Sequence, residues 1–218
     1  MDAGFLALAD WRRRVAQIYA AWRSESPTDP LAAWQRWRLA RDELFRDHPQ
    51  SPLPSDERAR FGGLSYFDYD PTYRLTASVE LTDPADDPHA SDQPAGGLLQ
   101  LPSSGAEQIS FRRIGTARLS GPLAGAALPL FWMSGYAGGL FLPFRDATSG
   151  GATYGAGRYL LDTVKGADQG GDWRNGVLTL DFNLAYHPSC AYDPRWNCPL
   201  APPESRLAIA VNAGERLA

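Results

Sequence analysis

The chain has 218 residues, enough for one domain with a sizeable core. Hydrophobic residues make up 44% and charged residues 21%, near the globular average, which excludes a wholly disordered chain. A net charge of −4 excludes the basic face on which a general nucleic-acid binder depends, and two cysteines are too few for a secreted disulfide scaffold.

No run approaches the ~18 apolar residues that span a bilayer. The richest window, Leu128 to Phe144, contains three glycines and two prolines. No secretory signal is visible at the N-terminus, so the expectation is a soluble cytoplasmic protein with no membrane partner. The 21 glycines and 18 prolines favour turns and short strands.

Asp2 to Trp22 reads as an amphipathic helix, because Phe5, Leu8, Trp11, Val15, Ile18, Tyr19 and Trp22 recur at spacings of three and four. Asp29-Pro30 offers an N-cap followed by proline at the first helical position. Trp34, Trp37, Leu44 and Phe45 form the apolar stripe of the second helix, which should end near Arg46, since His48 precedes Pro49. Residues 1–48 are therefore expected to be a helical pair packed on a body formed by residues 49–218.

Beyond the stiff Ser51-Pro52-Leu53-Pro54 linker the pattern changes. Tyr73 to Leu81 alternates apolar and polar residues, as a half-buried strand does. Thr82 to Gly97 is acidic and aperiodic and reads as an exposed loop. Further strands are expected at Gly97–Leu101, Gln108–Arg113, Thr116–Ser120, Leu128–Met133, Leu140–Phe144, Ala152–Leu161, Gly176–Asn183 and Leu207–Asn212. No strand–helix alternation follows residue 50. The predicted fold is mainly β, an antiparallel barrel-like or bent sandwich domain with an N-terminal pair of α-helices.

The polar residues that look specific lie between Phe144 and Pro203. Asp146-Ala147-Thr148-Ser149-Gly150-Gly151 has turn chemistry. Arg158, on a buried-looking strand, either grips a ligand carboxylate or phosphate or pairs with Asp146 or Asp181 as a structural network. Asp181 and Asn183 share one strand face, opposite Phe182. They either meet a ligand or bond the backbone of the irregular segment after them. Gly155-Ala156-Gly157 lacks the third glycine and following helix of a dinucleotide fingerprint, so no cofactor is read here. His187, Cys190 and Cys198 are weak metal-ligand candidates; a disulfide or two thiols suits their spacing better.

At these residues the chain resembles the domain of unknown function 1684 family of uncharacterised bacterial and archaeal proteins. The resemblance rests on Phe144, Asp146, Thr148, Ser149, Gly150 and the Thr153-Tyr154-Gly155-x-Gly157-Arg158-Tyr159-Leu160 run, and on Asp181-Phe182-Asn183 through Cys190-Ala191-Tyr192. Phe61 to Phe67, Cys198-Pro199, Pro202-Pro203-Glu204 and Ala213-Gly214-Glu215 extend it. His187 stands where that family usually carries Asn, and Ser205 where it carries Asn after Glu204. The family supplies no activity.

Two functional expectations follow. In the first, a β-barrel cavity binds a small anionic molecule and carries out catalysis on it where its acids allow. Asp146, Asp181 and Arg158 are then the candidate catalytic groups, and Tyr154, Arg158, Asn183 and Tyr186 the ligand contacts. In the second the protein is structural or partner-binding: the polar cluster only anchors the C-terminal loop, and the Trp-rich helices take a partner or a second copy of the chain.

Overall fold

The structure, a computed structural model, describes residues 3–82, 98–106, 108–136 and 138–218. Most of the acidic stretch read as a loop, with His89, lies outside the described residues, as do Asp2 and Gly97. Helix α1 spans Ala3–Glu25 and α2 spans Pro30–Asp47. The second starts where the sequence places it: Asp29 accepts a hydrogen bond from the Ala32 N–H at 3.0 Å, and Pro30 fills the first turn. A short helix α3, Ser55–Arg58, follows the Pro-rich linker.

The remaining strands are all antiparallel. They are β1 (Arg74–Leu81), β2 (Leu99–Gln100), β3 (Ser110–Arg118), β4 (Ala127–Met133), β5 (Gly139–Phe144), β6 (Arg158–Asp162), β7 (Gly171–Asp172) and β8 (Val177–Asp181). The sheet runs β6-β5-β4-β3-β1-β8-β7, with β2 beside β3, and curls into a half-barrel. Bulges in β3 between Arg113 and Gly115, and in β6 at Leu160, opposite Leu142 and Pro143 of β5, help that curl, since an extra residue bends a strand and increases its twist. Gly115 is where β3 passes closest to β1: a Cβ there would sit 2.5 Å from the Glu80 carbonyl oxygen.

Four expected strands change form. Gln108–Arg113 and Thr116–Ser120 are one strand, interrupted by the Gly115 bulge and not by a turn. Only the end of Ala152–Leu161 is strand; Ala152 to Gly157 is turn, closed by the Gly157 N–H bonding to the Tyr154 carbonyl at 3.0 Å. Leu207–Asn212 forms no strand, although Leu207 and Ile209 exchange backbone bonds with Arg145 and Ala147 at 2.8 and 3.1 Å.

Consecutive residues of the sheet serve different cores. Leu130, Leu142 and Leu160 belong to one apolar cluster, while Phe131, Phe141 and Tyr159 belong to another, as alternation across a sheet requires. A third cluster joins the helices to the body: Tyr19, Trp22, Trp34, Trp37 and Phe45 pack with Tyr66, Ala167 and Leu184. The Trp34 indole N–H also donates to the Asn183 carbonyl at 3.1 Å. Trp22, Trp34 and Trp37 are thus buried within the chain and present no free tryptophan face to a partner. No helix among the described residues is long and apolar enough to cross a membrane.

Candidate functional site

Strand β6 begins with Arg158, directly after the turn that Asp146 organises. One Asp146 oxygen accepts the Thr148 N–H at 3.0 Å and the Thr148 hydroxyl at 2.6 Å. The other accepts Arg158 Nη2 at 2.8 Å and the Val211 N–H at 2.9 Å. Arg158 is fully buried, and its guanidinium also donates to the carbonyls of Val211, Ala213 and Glu215 at 3.0, 2.5 and 3.2 Å. Burial lowers its pKa and the Asp146 carboxylate opposes that shift. One carboxylate and three backbone carbonyls therefore occupy the guanidinium's fork.

Asp181 and Asn183 form a separate group at the end of β8. One Asp181 oxygen accepts the Asn183 N–H at 2.9 Å and its side-chain amide at 2.8 Å. Asn183 also exchanges bonds with the Asp70 backbone, donating at 2.8 Å and accepting at 3.0 Å. The second Asp181 oxygen is buried without a partner among the described residues, and burial pushes the carboxyl up to about 6 despite the Asn183 hydrogen bonds. Among the described residues no hydrogen bond or ion pair joins Asp181 or Asn183 to Arg158 or Asp146.

Tyr186 and His187 lie at a third place, where the helices meet the sheet. Tyr186 exchanges backbone bonds with Tyr159 at 2.9 and 3.1 Å, and its ring lies 5.1 Å from the Arg41 guanidinium. Arg41 reaches in from α2 to donate to the Tyr66 hydroxyl at 3.0 Å and to Glu215 at 3.1 Å. The His187 backbone N–H donates to the same Glu215 carboxylate at 3.2 Å, and His187 Nδ1 lies 3.5 Å from its other oxygen. His187 Nε2 accepts the Tyr154 N–H at 3.2 Å, so the ring is the neutral Nδ1–H tautomer. Burial first, then Arg158 and Arg41, hold its pKa down at about 3.

Above this network is a cleft of about 60 Å³, walled by Trp11, Val15, Ile18, Leu44 and Phe45 of the helices and by Tyr159 and Tyr186 of the body. Its polar lining is Tyr19, Arg41, Lys165, His187 and Ser189. The Tyr19 hydroxyl is buried and has no partner among the described residues. Lys165, whose ammonium is 3.3 Å from Asp162, is about two-fifths exposed. Trp11, Lys165 and Ser189 also line an outer chamber of about 130 Å³ that reaches Cys198.

Cys190 and Cys198 are free thiols, and the Tyr154 hydroxyl lies 3.9 Å from the Cys190 sulfur. Among the described residues no group of three His, Cys, Asp or Glu side chains is placed to hold a metal ion.

Of the residues singled out in the sequence, then, the structure gathers Tyr186 and His187 at the cleft, pairs Arg158 with Asp146, and keeps Asp181 with Asn183. Sequence reasoning missed Tyr19, Arg41, Lys165 and Glu215. Arg41 carried a readable signal: it falls four residues after Trp37 and three before Leu44, inside the apolar stripe of α2, where a charge needs a buried partner.

No curated protein matches the chain. A solution NMR structure of an uncharacterized protein of Haloarcula marismortui is similar at 35% identity and a TM-score of 0.58, covering 88% of this chain and 97% of that one. A family model described as Protein of unknown function (DUF1684) matches residues 59–216. The chain belongs to that family.

Proposed function

We propose that the protein binds a small, mostly apolar molecule carrying one anionic group, in the cleft between the helical pair and the sheet. The observation that carries this reading is the Tyr19 hydroxyl, buried in the wall of that cleft with no acceptor. A buried donor left unpaired costs about 1–3 kcal/mol, which a ligand's carboxylate or phosphate oxygen recovers. The aromatic walls suit an apolar body, and Lys165 at the mouth and Arg41 at the floor supply positive charge. About 10–15 Å³ accommodates one water, so a cleft of about 60 Å³ suits a group of a few heavy atoms.

Arg158 and Asp146 enter this proposal as the clamp on the C-terminal segment, because their hydrogen bonds are spent inside the chain. No acid–base step is assigned. His187 has one ring nitrogen accepting the Tyr154 N–H and the other beside Glu215.

The test is a thermal-shift screen of small carboxylates and phosphate esters against the protein, Tyr19→Phe and Lys165→Met. A ligand at 100 times its Kd adds about 2.7 kcal/mol to native stability. Tyr19→Phe removes a buried hydroxyl that has no acceptor, so its melting temperature without ligand should rise and not fall. Its affinity should fall about ten- to a hundredfold, the worth of a hydrogen bond to a charged group. Binders whose shifts are undiminished in both variants would place the ligand elsewhere and sink the reading, as would a library without a single binder.

A further inference from the structure

The two thiols of this chain are neither a disulfide nor independent of one another. Cys198 is held on both sides by Ser104: its N–H donates to the Ser104 hydroxyl at 2.9 Å and its carbonyl accepts the Ser104 N–H at 3.0 Å. The Cys198 sulfur accepts the Cys190 backbone N–H at 3.4 Å. That contact sets the two cysteines side by side, the first requirement for closing a disulfide bond of about 2.05 Å between them. The sites are unequal. Cys190 is half-buried, with the Tyr154 hydroxyl 3.9 Å from its sulfur, while Cys198 is buried.

We propose that Cys190 and Cys198 form a redox-active dithiol, with Cys190 the nucleophile toward a low-molecular-weight disulfide and Cys198 the resolving thiol. In the first step the Cys190 thiolate attacks one sulfur of the disulfide, forming a mixed disulfide and releasing one thiolate of the reagent. In the second, Cys198 gives its proton to water and attacks the Cys190 sulfur, forming the Cys190–Cys198 bond and releasing the second reagent thiolate. Two protein thiols are oxidised and one reagent disulfide is reduced to two thiols.

The surroundings favour that division of labour. Hydrogen bonding from Cys198 leads, the Tyr154 hydroxyl adds to it, and together they outweigh burial and hold the Cys190 thiol at about 6. Cys198 is pushed upward by donating to Cys190 and by burial. A nucleophile with a lowered pKa beside a thiol with a raised one is the asymmetry that directed thiol exchange needs. This site stands independently of the cleft proposal, because no ligand of the cleft enters its chemistry.

The experiment uses glutathione disulfide on the reduced, folded protein, followed by intact mass and non-reducing peptide mapping. The expected product is a chain lighter by two hydrogens, with Cys190 cross-linked to Cys198. Cys198→Ser should stop at a glutathione adduct on Cys190, and Cys190→Ser should leave Cys198 unmodified over the same time. Brief alkylation of the untreated protein across pH should give a Cys190 midpoint near 6, and not the ordinary value of about 8.5. Tyr154→Phe should move that midpoint upward. A stable glutathione adduct in the unaltered protein, faster reaction at Cys198, or a midpoint near 8.5 would each overturn the proposal. Since the cross-link and the midpoint are read on the unaltered chain, a variant that fails to fold leaves the test intact.

Discussion

His187 and Asp181 are both buried ionisable groups, and their protons act on stability in opposite directions. His187 is held at about 3 when folded, against about 6.5 in an unfolded chain. As pH falls through 6.5 the unfolded state takes a proton that the folded ring refuses, and stability is lost at about 1.4 kcal/mol per pH unit until about pH 3. Asp181 is raised to about 6 when folded, from an ordinary value of 3.8. Its contribution is present in full below 3.8 and is lost at the same slope as pH rises to 6. Between about pH 4 and 6 the two nearly cancel.

That cancellation makes a test by variants. His187→Asn keeps an acceptor for the Tyr154 N–H and removes the acid loss. Measured by urea unfolding, its stability relative to the parent should therefore improve by about 2–3 kcal/mol on going from pH 6.5 to 4.5. Asp181→Asn keeps an acceptor for Asn183 and should shift about 2 kcal/mol the other way over the same interval. A variant that leaves the pH dependence unchanged would show that burial does not hold the group it replaces away from its ordinary pKa.

At the scale of elements, the sequence was legible where periodicity or a local cap decides the outcome. Spacings of three and four gave both helices, and Asp29-Pro30 gave the start of α2, because a cap acts within four residues. Asp29→Ala should lower stability by about 1 kcal/mol, read as a drop in melting temperature. It was less legible where a glycine's backbone angle decides. Gly155 and Gly157 look alike in a strand-like run, but Gly157 has φ +101 and a Cβ there would lie 2.4 Å from the Phe144 carbonyl oxygen. At Gly155 the nearest atom would be 3.6 Å away. Gly155→Ala should be neutral to within about 0.5 kcal/mol, while Gly157→Ala should cost more than about 2 kcal/mol. Equal effects would mean that the turn before β6 differs from the one described. The sequence also hid the partners of Arg158, since backbone carbonyls 53 to 57 residues away leave no mark in side-chain identity.

Across the whole molecule, Arg158 is where the chain's end is tied to its middle. From β6 it holds Val211, Ala213 and Glu215 by their carbonyls and, through Asp146, the Val211 N–H. The Glu215 carboxylate then reaches Arg41 on α2, so a chain of charges runs from the sheet through the C-terminal segment to the helices. A buried pair of this kind is a poor source of net stability but a costly one to break, because removing one member strands the other without water. Arg158→Ala and Asp146→Ala should each cost about 3–5 kcal/mol in urea unfolding. The double variant should cost less than their sum by at least about 2 kcal/mol, since the second substitution removes a charge that the first left unpaired. Additivity within about 0.5 kcal/mol would mean that the carboxylate and the guanidinium act separately, each through its own backbone bonds, and that no charge link connects the turn to the C-terminal segment.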